Sequence, residues 1–143
     1  MKIINALLLT ATMVTPSKVI AGESQYLCIA DVVSGLAFKS SKWETTDFLS
    51  GAKYLLKLQN EDLVSVKEFG APDEFIMPSC EKMANVQSQK CESNFDTFRF
   101  QPSTKRFVYA KTSGFTNEYE ELGIPLKATD FTPHIAIGTC EEL

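Results

Sequence analysis

The stretch Phe95–Lys111, FDTFRFQPSTKRFVYAK, holds two alternating apolar runs parted by Pro102, Ser103, Thr104 and Lys105. A strand turns successive side chains to opposite faces. Phe98 and Phe100 therefore share a face with Asp96, Thr97 and Arg99 take the other, and Phe107 joins Tyr109 on the return run. Proline and serine between such runs mark a turn. The stretch predicts a central antiparallel hairpin.

The chain around it follows the same pattern. Lys53–Leu58 sets Tyr54, Leu56 and Leu58 against Lys53, Leu55 and Lys57, and Leu63–Phe69 sets Val64 and Val66 against Ser65 and Lys67. With Gln59–Asp62 as a four-residue polar connection, these two runs form a second hairpin. Upstream, Gln25–Val33 ends at Ser34-Gly35, and Leu36-Ala37-Phe38 runs on to a polar turn at Ser40-Ser41, as two short strands or one bent strand. The last run, Pro133–Cys140, alternates Ile135 and Ile137 with His134, Ala136 and Gly138, with the proline at a permitted strand start. Two segments lack periodicity. Gly70–Asn94 holds Pro72 and Pro78 and reads as an insertion, with a short helical turn over Glu81–Lys90 its one candidate element, and Thr112–Phe131 reads as a surface loop. About seven short strands with turns between neighbours give an all-β fold, a small antiparallel barrel or sandwich with two irregular loops. Strand order, which separates barrel from sandwich, is not written in these patterns.

Residues 1–21 read as a secretory signal peptide: Lys2, an apolar run from Ile3 to Val14, Pro16, and small or medium residues to Ala21. The run is too short, and too often interrupted by Asn5, Thr10 and Thr12, for a membrane span. Tyr26-Leu27 before Cys28 does not suit a lipidated cysteine. Cleavage after Ala21 leaves one domain, residues 22–143, with no membrane anchor. It also removes Lys2 and Lys18 from the 14 basic residues, leaving 12 against 18 acidic ones, a formal balance of −6. Such a surface opposes nucleic acid, whose binding rests on phosphate neutralisation, and anionic membranes alike.

All four cysteines, Cys28, Cys80, Cys91 and Cys140, fall in the mature part, and an even number in an exported chain reads as disulfides. Of the three pairings, Cys80 with Cys91 would close the middle excursion and Cys28 with Cys140 would fasten the first strand to the last. A zinc site needs paired ligands at C-x2–4-C spacing, which does not occur. No cofactor is implied, and the expected location is periplasmic or secreted.

The order of features, from the cysteine strand through Gly35-Leu36-Ala37-Phe38, Trp43, Lys53-Tyr54, two middle cysteines, Phe98-Arg99-Phe100 and Gly114-Phe115 to Pro133-His134-Ile135-Ala136-Ile137-Gly138-Thr139-Cys140, resembles a group of small exported bacterial proteins. The resemblance spans most of the mature chain. It implies layout and location, and no activity or catalytic residue.

Candidate functional residues divide by chemistry. His134 is the sole histidine, so base-assisted nucleophilic catalysis would use it, with Ser113, Thr132 or Asp130 nearby in sequence, yet no nucleophile elbow surrounds a serine. The plainer reading is a solvent-facing strand residue. Glu118, Glu120, Glu121 and Asp130 offer paired carboxylates, or simply solvated charge. Trp43, Tyr54, Phe98, Phe100, Phe107 and Tyr109 line an apolar ligand cavity or fill the core. Arg99 and Arg106 offer guanidinium groups to a carboxylate or a ring, with a cross-strand ion pair to a residue such as Asp96 as the plainer role. From these, Trp43, Tyr54, Arg99 and Tyr109 are the expected contacts of an unidentified protein or small-molecule partner. The resulting expectation is a non-catalytic exported binding module. The alternatives are a small hydrolase using His134 or the loop carboxylates, and an inhibitor of an exported enzyme presenting the Cys80–Cys91 loop.

Overall fold

The computed structural model describes residues 22–70, 76–112, 123 and 132–143, and these carry strands and no helix. The strands are β1 (Glu23–Lys39), β2 (Lys42–Phe48), β3 (Lys53–Gln59), β4 (Asp62–Glu68), β5 (Ile76–Met77), β6 (Ser79–Lys82), β7 (Gln89–Glu92), β8 (Asp96–Gln101), β9 (Arg106–Lys111) and β10 (His134–Glu142). They form one sheet in the order β5-β4-β3-β1-β10-β9-β8-β7-β6, with β2 added to β1 beyond the reach of β3. Each pairing is antiparallel. The all-β expectation holds, with more strands than the sequence patterns mark.

The sheet curls until its two ends approach each other, so the architecture is a nearly closed barrel. At the seam the Gln89 side chain accepts a hydrogen bond from the Leu63 N–H and donates one to the Glu61 carbonyl at 2.8 Å. Lys82 on β6 forms an ion pair with Asp62 on β4. Gln89 is a buried polar side chain, and burial of an amide is tolerated because both ends are bonded.

The central hairpin is as read, with Phe98 opposite Tyr109 and Phe100 opposite Phe107. Its turn spans Pro102–Lys105, where Lys105 takes a positive φ of 53° and its N–H bonds the Pro102 carbonyl. The inward residues build an aromatic core. Phe98 stacks on Phe107 at 5.1 Å between ring centres, and Tyr54 from β3 packs within 5.4 Å of both. Leu56, Val66, Cys91 and Ala136 are buried around them. At one end of the barrel Tyr26 lies 5.4 Å from Phe100.

The first run is one bent strand, the second of the two forms expected. Ala30 pairs with Gly138 and Val32 with Ile137, so Asp31 is an extra residue, a β-bulge. The bulge shifts the inward phase: Cys28 and Ala30 are buried before it, Val33 and Ala37 after it. Cys28 faces Cys140 across β1 and β10, and Cys80 faces Cys91 across β6 and β7. Both pairs are disulfide-bonded.

Four expectations need correction. Gly70–Asn94 is not an unstructured insertion: three short strands lie in it, and the Glu81–Lys90 segment is a disulfide-spanned hairpin rather than a helical turn. The connection between β3 and β4 is two residues, not four, since Asn60 and Glu61 both take positive φ (53° and 68°) in a tight turn. Val64 does not share the buried face with Val66. A bulge passes Lys57–Ser65 pairing to Leu58–Leu63 pairing, which puts Leu63 and Val66 inside and leaves Val64 half-buried. A strand over Lys42–Phe48 was unmarked, because its residues KWETTDF lack clean alternation. Residues 1–21, expected to be a signal peptide, lie outside the described residues, as does nearly all of the Thr112–Phe131 stretch.

Candidate binding surface

Among the described residues, the aromatic side chains that might have lined a ligand chamber pack against one another in the core. Tyr54 and Tyr109 are core residues with rings 5.0 Å apart. Burial raises both phenol pKa values well above the ordinary value of 10.0, with Glu68 and Asp96 adding to the effect. Asp96 faces inward beside Tyr109, with its Oδ1 buried and unpartnered among the described residues. It is therefore not the ion-pair partner of Arg99, which lies on the opposite face of β8 and is exposed.

His134 is also corrected: it faces the barrel mouth, not solvent. Its ring packs between Phe48 (5.7 Å) and Tyr109 (5.6 Å), and Nδ1 donates to the Thr132 carbonyl at 2.6 Å. No serine, threonine or cysteine side chain bonds to it among the described residues. A proton-relay arrangement would need such a nucleophile within hydrogen-bond reach. Ser113, Glu118, Glu120, Glu121 and Asp130 lie outside the described residues. Among the described residues no cluster of three metal-ligating side chains occurs.

The isoleucines on either side of Ala136 face outward instead. Registers across the sheet align one outer row, residue by residue: Val32 on β1, Ile137 on β10, Val108 on β9, Arg99 on β8, Lys90 on β7 and Glu81 on β6. The apolar half is open to solvent, with Val32 53%, Ile137 46% and Val108 43% exposed. Ile135 and Ile29 extend it on β10 and β1. The row borders a cleft of about 550 Å³ whose lining includes Asp31, Arg99, Arg106, Val108, Ile137 and Thr139.

The charges in this row are not equivalent. Lys90 is held by Glu81 and Glu92, both at 3.1 Å, and those hydrogen bonds raise its pKa. Arg99 and Arg106 are the chain's two arginines, and among the described residues neither has an acidic partner within ion-pair distance. They sit on neighbouring strands, diagonal to one another across the Arg99–Val108 and Gln101–Arg106 pairs. Two guanidinium groups without an acidic partner among the described residues thus border an apolar strip.

The four expected contact residues are dispersed by the fold. Tyr54 and Tyr109 come together, but in the core. Trp43 packs at 5.5 Å against Phe38 at the end of the β1–β2 hairpin. Only Arg99 reaches the outer cleft. Val32, Val108 and Ile137 were missed, although Cys140 carried the signal: a disulfide cysteine facing inward commits the odd-numbered residues 135 and 137 to the outside. Comparison with family models, with characterised proteins and with solved structures finds no match.

Proposed function

We propose that the chain is an exported, non-catalytic binding module that captures its partner on the outer wall of β1, β10, β9 and β8. The observation that carries this is the unbroken exposed row Val32–Ile137–Val108 beside two arginines that have no acidic partner among the described residues. Contiguous apolar surface on a small protein ordinarily marks an interaction site. The packing of Tyr54, Phe98, Phe107 and Tyr109 in the core supports a site on the wall over a ligand-carrying barrel. The two disulfides are consistent with an oxidising compartment and support a periplasmic or secreted location. The inhibitor reading draws on a different feature, exposed Val86 at the tip of the Cys80–Cys91 hairpin.

Photo-crosslinking separates these surfaces. A photoreactive residue at Val108 is expected to yield an adduct in cells that produce the protein, and Ile137→Asp should abolish it. The same group at Phe69, exposed just past β4, which pairs with β3 and β5 and with no strand of the row, should yield none. Adducts from Val86 alone would move the site to the hairpin tip and overturn the outer-wall reading.

A further inference from the structure

The outer-wall reading names a surface, and the spacing on that surface narrows its occupant. Neighbouring strands lie about 4.8 Å apart. The row from Val32 to Arg99 crosses three such gaps, about 14 Å. An extended polypeptide advances about 6.6 Å for every second residue on one face, so four residues cover nearly that distance. Two apolar side chains at alternate positions would meet Val32, Ile137 and Val108, and the next same-face position would arrive over Arg99. Arg106, two residues from Val108 along β9, would take a neighbouring carboxylate.

We infer that the occupant is an acidic segment of a protein partner, extended across the strands, with alternate aliphatic residues followed by paired carboxylates. This inference rests on the outer-wall reading. Charge complementarity carries it. Guanidinium forks bind carboxylates through two parallel hydrogen bonds, and these two arginines have no acid of their own among the described residues, in a chain with a net negative charge. Asp31 on the cleft's opposite border would repel a carboxylate there and so favours one orientation of the segment. A small molecule fits less well. Small-molecule sites bury most of the ligand surface, whereas this wall leaves its own aliphatic side chains 43–53% exposed.

The test uses the oxidised protein and a fluorescein-labelled peptide of the pattern valine-serine-valine-serine-glutamate-serine-glutamate. Two counterparts replace both glutamates by lysine or both valines by serine. Anisotropy should show saturable binding of the first peptide alone, weakened by salt. The Arg99→Gln/Arg106→Gln protein should bind it at least about tenfold more weakly, since two charge-assisted contacts are lost. Both side chains are exposed, and an unchanged unfolding midpoint confirms the fold. Amide shift changes on titration should centre on Val32, Val108 and Ile137.

Equal binding by the double variant, or no glutamate-peptide binding up to millimolar concentration, overturns the acidic-segment inference. If the lysine peptide instead shifts the outer-wall amides, that inference fails while the outer-wall reading survives. If no peptide perturbs those amides, both fail. Binding to anionic phospholipid vesicles without peptide binding assigns the arginines to a lipid surface and likewise overturns the inference.

Discussion

Cys28 stands directly opposite Cys140, the two inward-facing and buried within the pairing between the first strand and the last. Their bond closes a separation of 112 residues, against 11 for Cys80–Cys91. In the chain-entropy account the longer loop restrains the unfolded chain more, by roughly 4–5 kcal/mol against roughly 3 kcal/mol. Cys28→Ala/Cys140→Ala should therefore cost more stability than Cys80→Ala/Cys91→Ala. Guanidinium unfolding of the two double variants measures it, and the reverse order would show that native packing, rather than loop closure, sets the contribution.

Gly138 permits the close approach of β10 to the bulge in β1. A Cβ there would lie 2.0 Å from the Ile29 carbonyl oxygen and 2.9 Å from the Ala30 Cα, both backbone atoms that cannot rotate away. Gly138→Ala should destabilise by about 1–3 kcal/mol, the usual cost of overpacking. Gly138→Ala with Asp31 deleted tests the cause: removing the bulge relaxes the contact, so the added cost of alanine should shrink in that background.

How much of this was legible depends on which interactions decide each element. The β8–β9 hairpin was readable because Phe98, Phe100, Phe107 and Tyr109 alternate cleanly and Pro102 marks the turn. So was the partnership of Cys28 with Cys140. β6 and β7 were not, because SCEK and QKCE are short and mostly polar; a cross-strand bridge and an edge of the barrel hold them, not a hydrophobic period. The outer row lay beyond periodicity for a different reason. Ile135 and Ile137 are the larger apolar residues of β10, and hydrophobicity alone assigns them to the core, but only small residues fit inside, where Gly138 meets β1 and Ala136 is fully buried. Packing space, not polarity, decides that strand's orientation.

The Asn60-Glu61 turn is strained by its second residue. Both positions take left-handed φ, a conformation that glycine adopts freely and glutamate does not. Glu61→Gly should stabilise the protein by about 1 kcal/mol, the lower end of the left-handed penalty. The Glu61 carbonyl, which accepts the Gln89 amide at the barrel seam, survives the change. Thermal unfolding checks it. A loss of stability would mean that the Glu61 side chain contributes more than its backbone strain removes.

The buried tyrosines set the alkaline limit. Tyr54 and Tyr109 have pKa values raised above 10.0 in the folded protein, first by burial and then by nearby acids. An acid whose folded pKa is raised stays protonated in the native state while the unfolded chain ionises, so the unfolded state loses protons first. Their contribution to stability is accordingly full below pH 10 and falls as pH rises through and beyond that value. Unfolding should begin above about pH 10, with absorbance at 295 nm rising in step with loss of near-ultraviolet circular dichroism. Tyr54→Phe removes one titrating phenol and should shallow the fall in stability above pH 10. Smooth titration of all four tyrosines near their ordinary pKa, with the fold intact, would show that the two phenols reach solvent and contradict the packing of Tyr54 against Phe98 and Phe107.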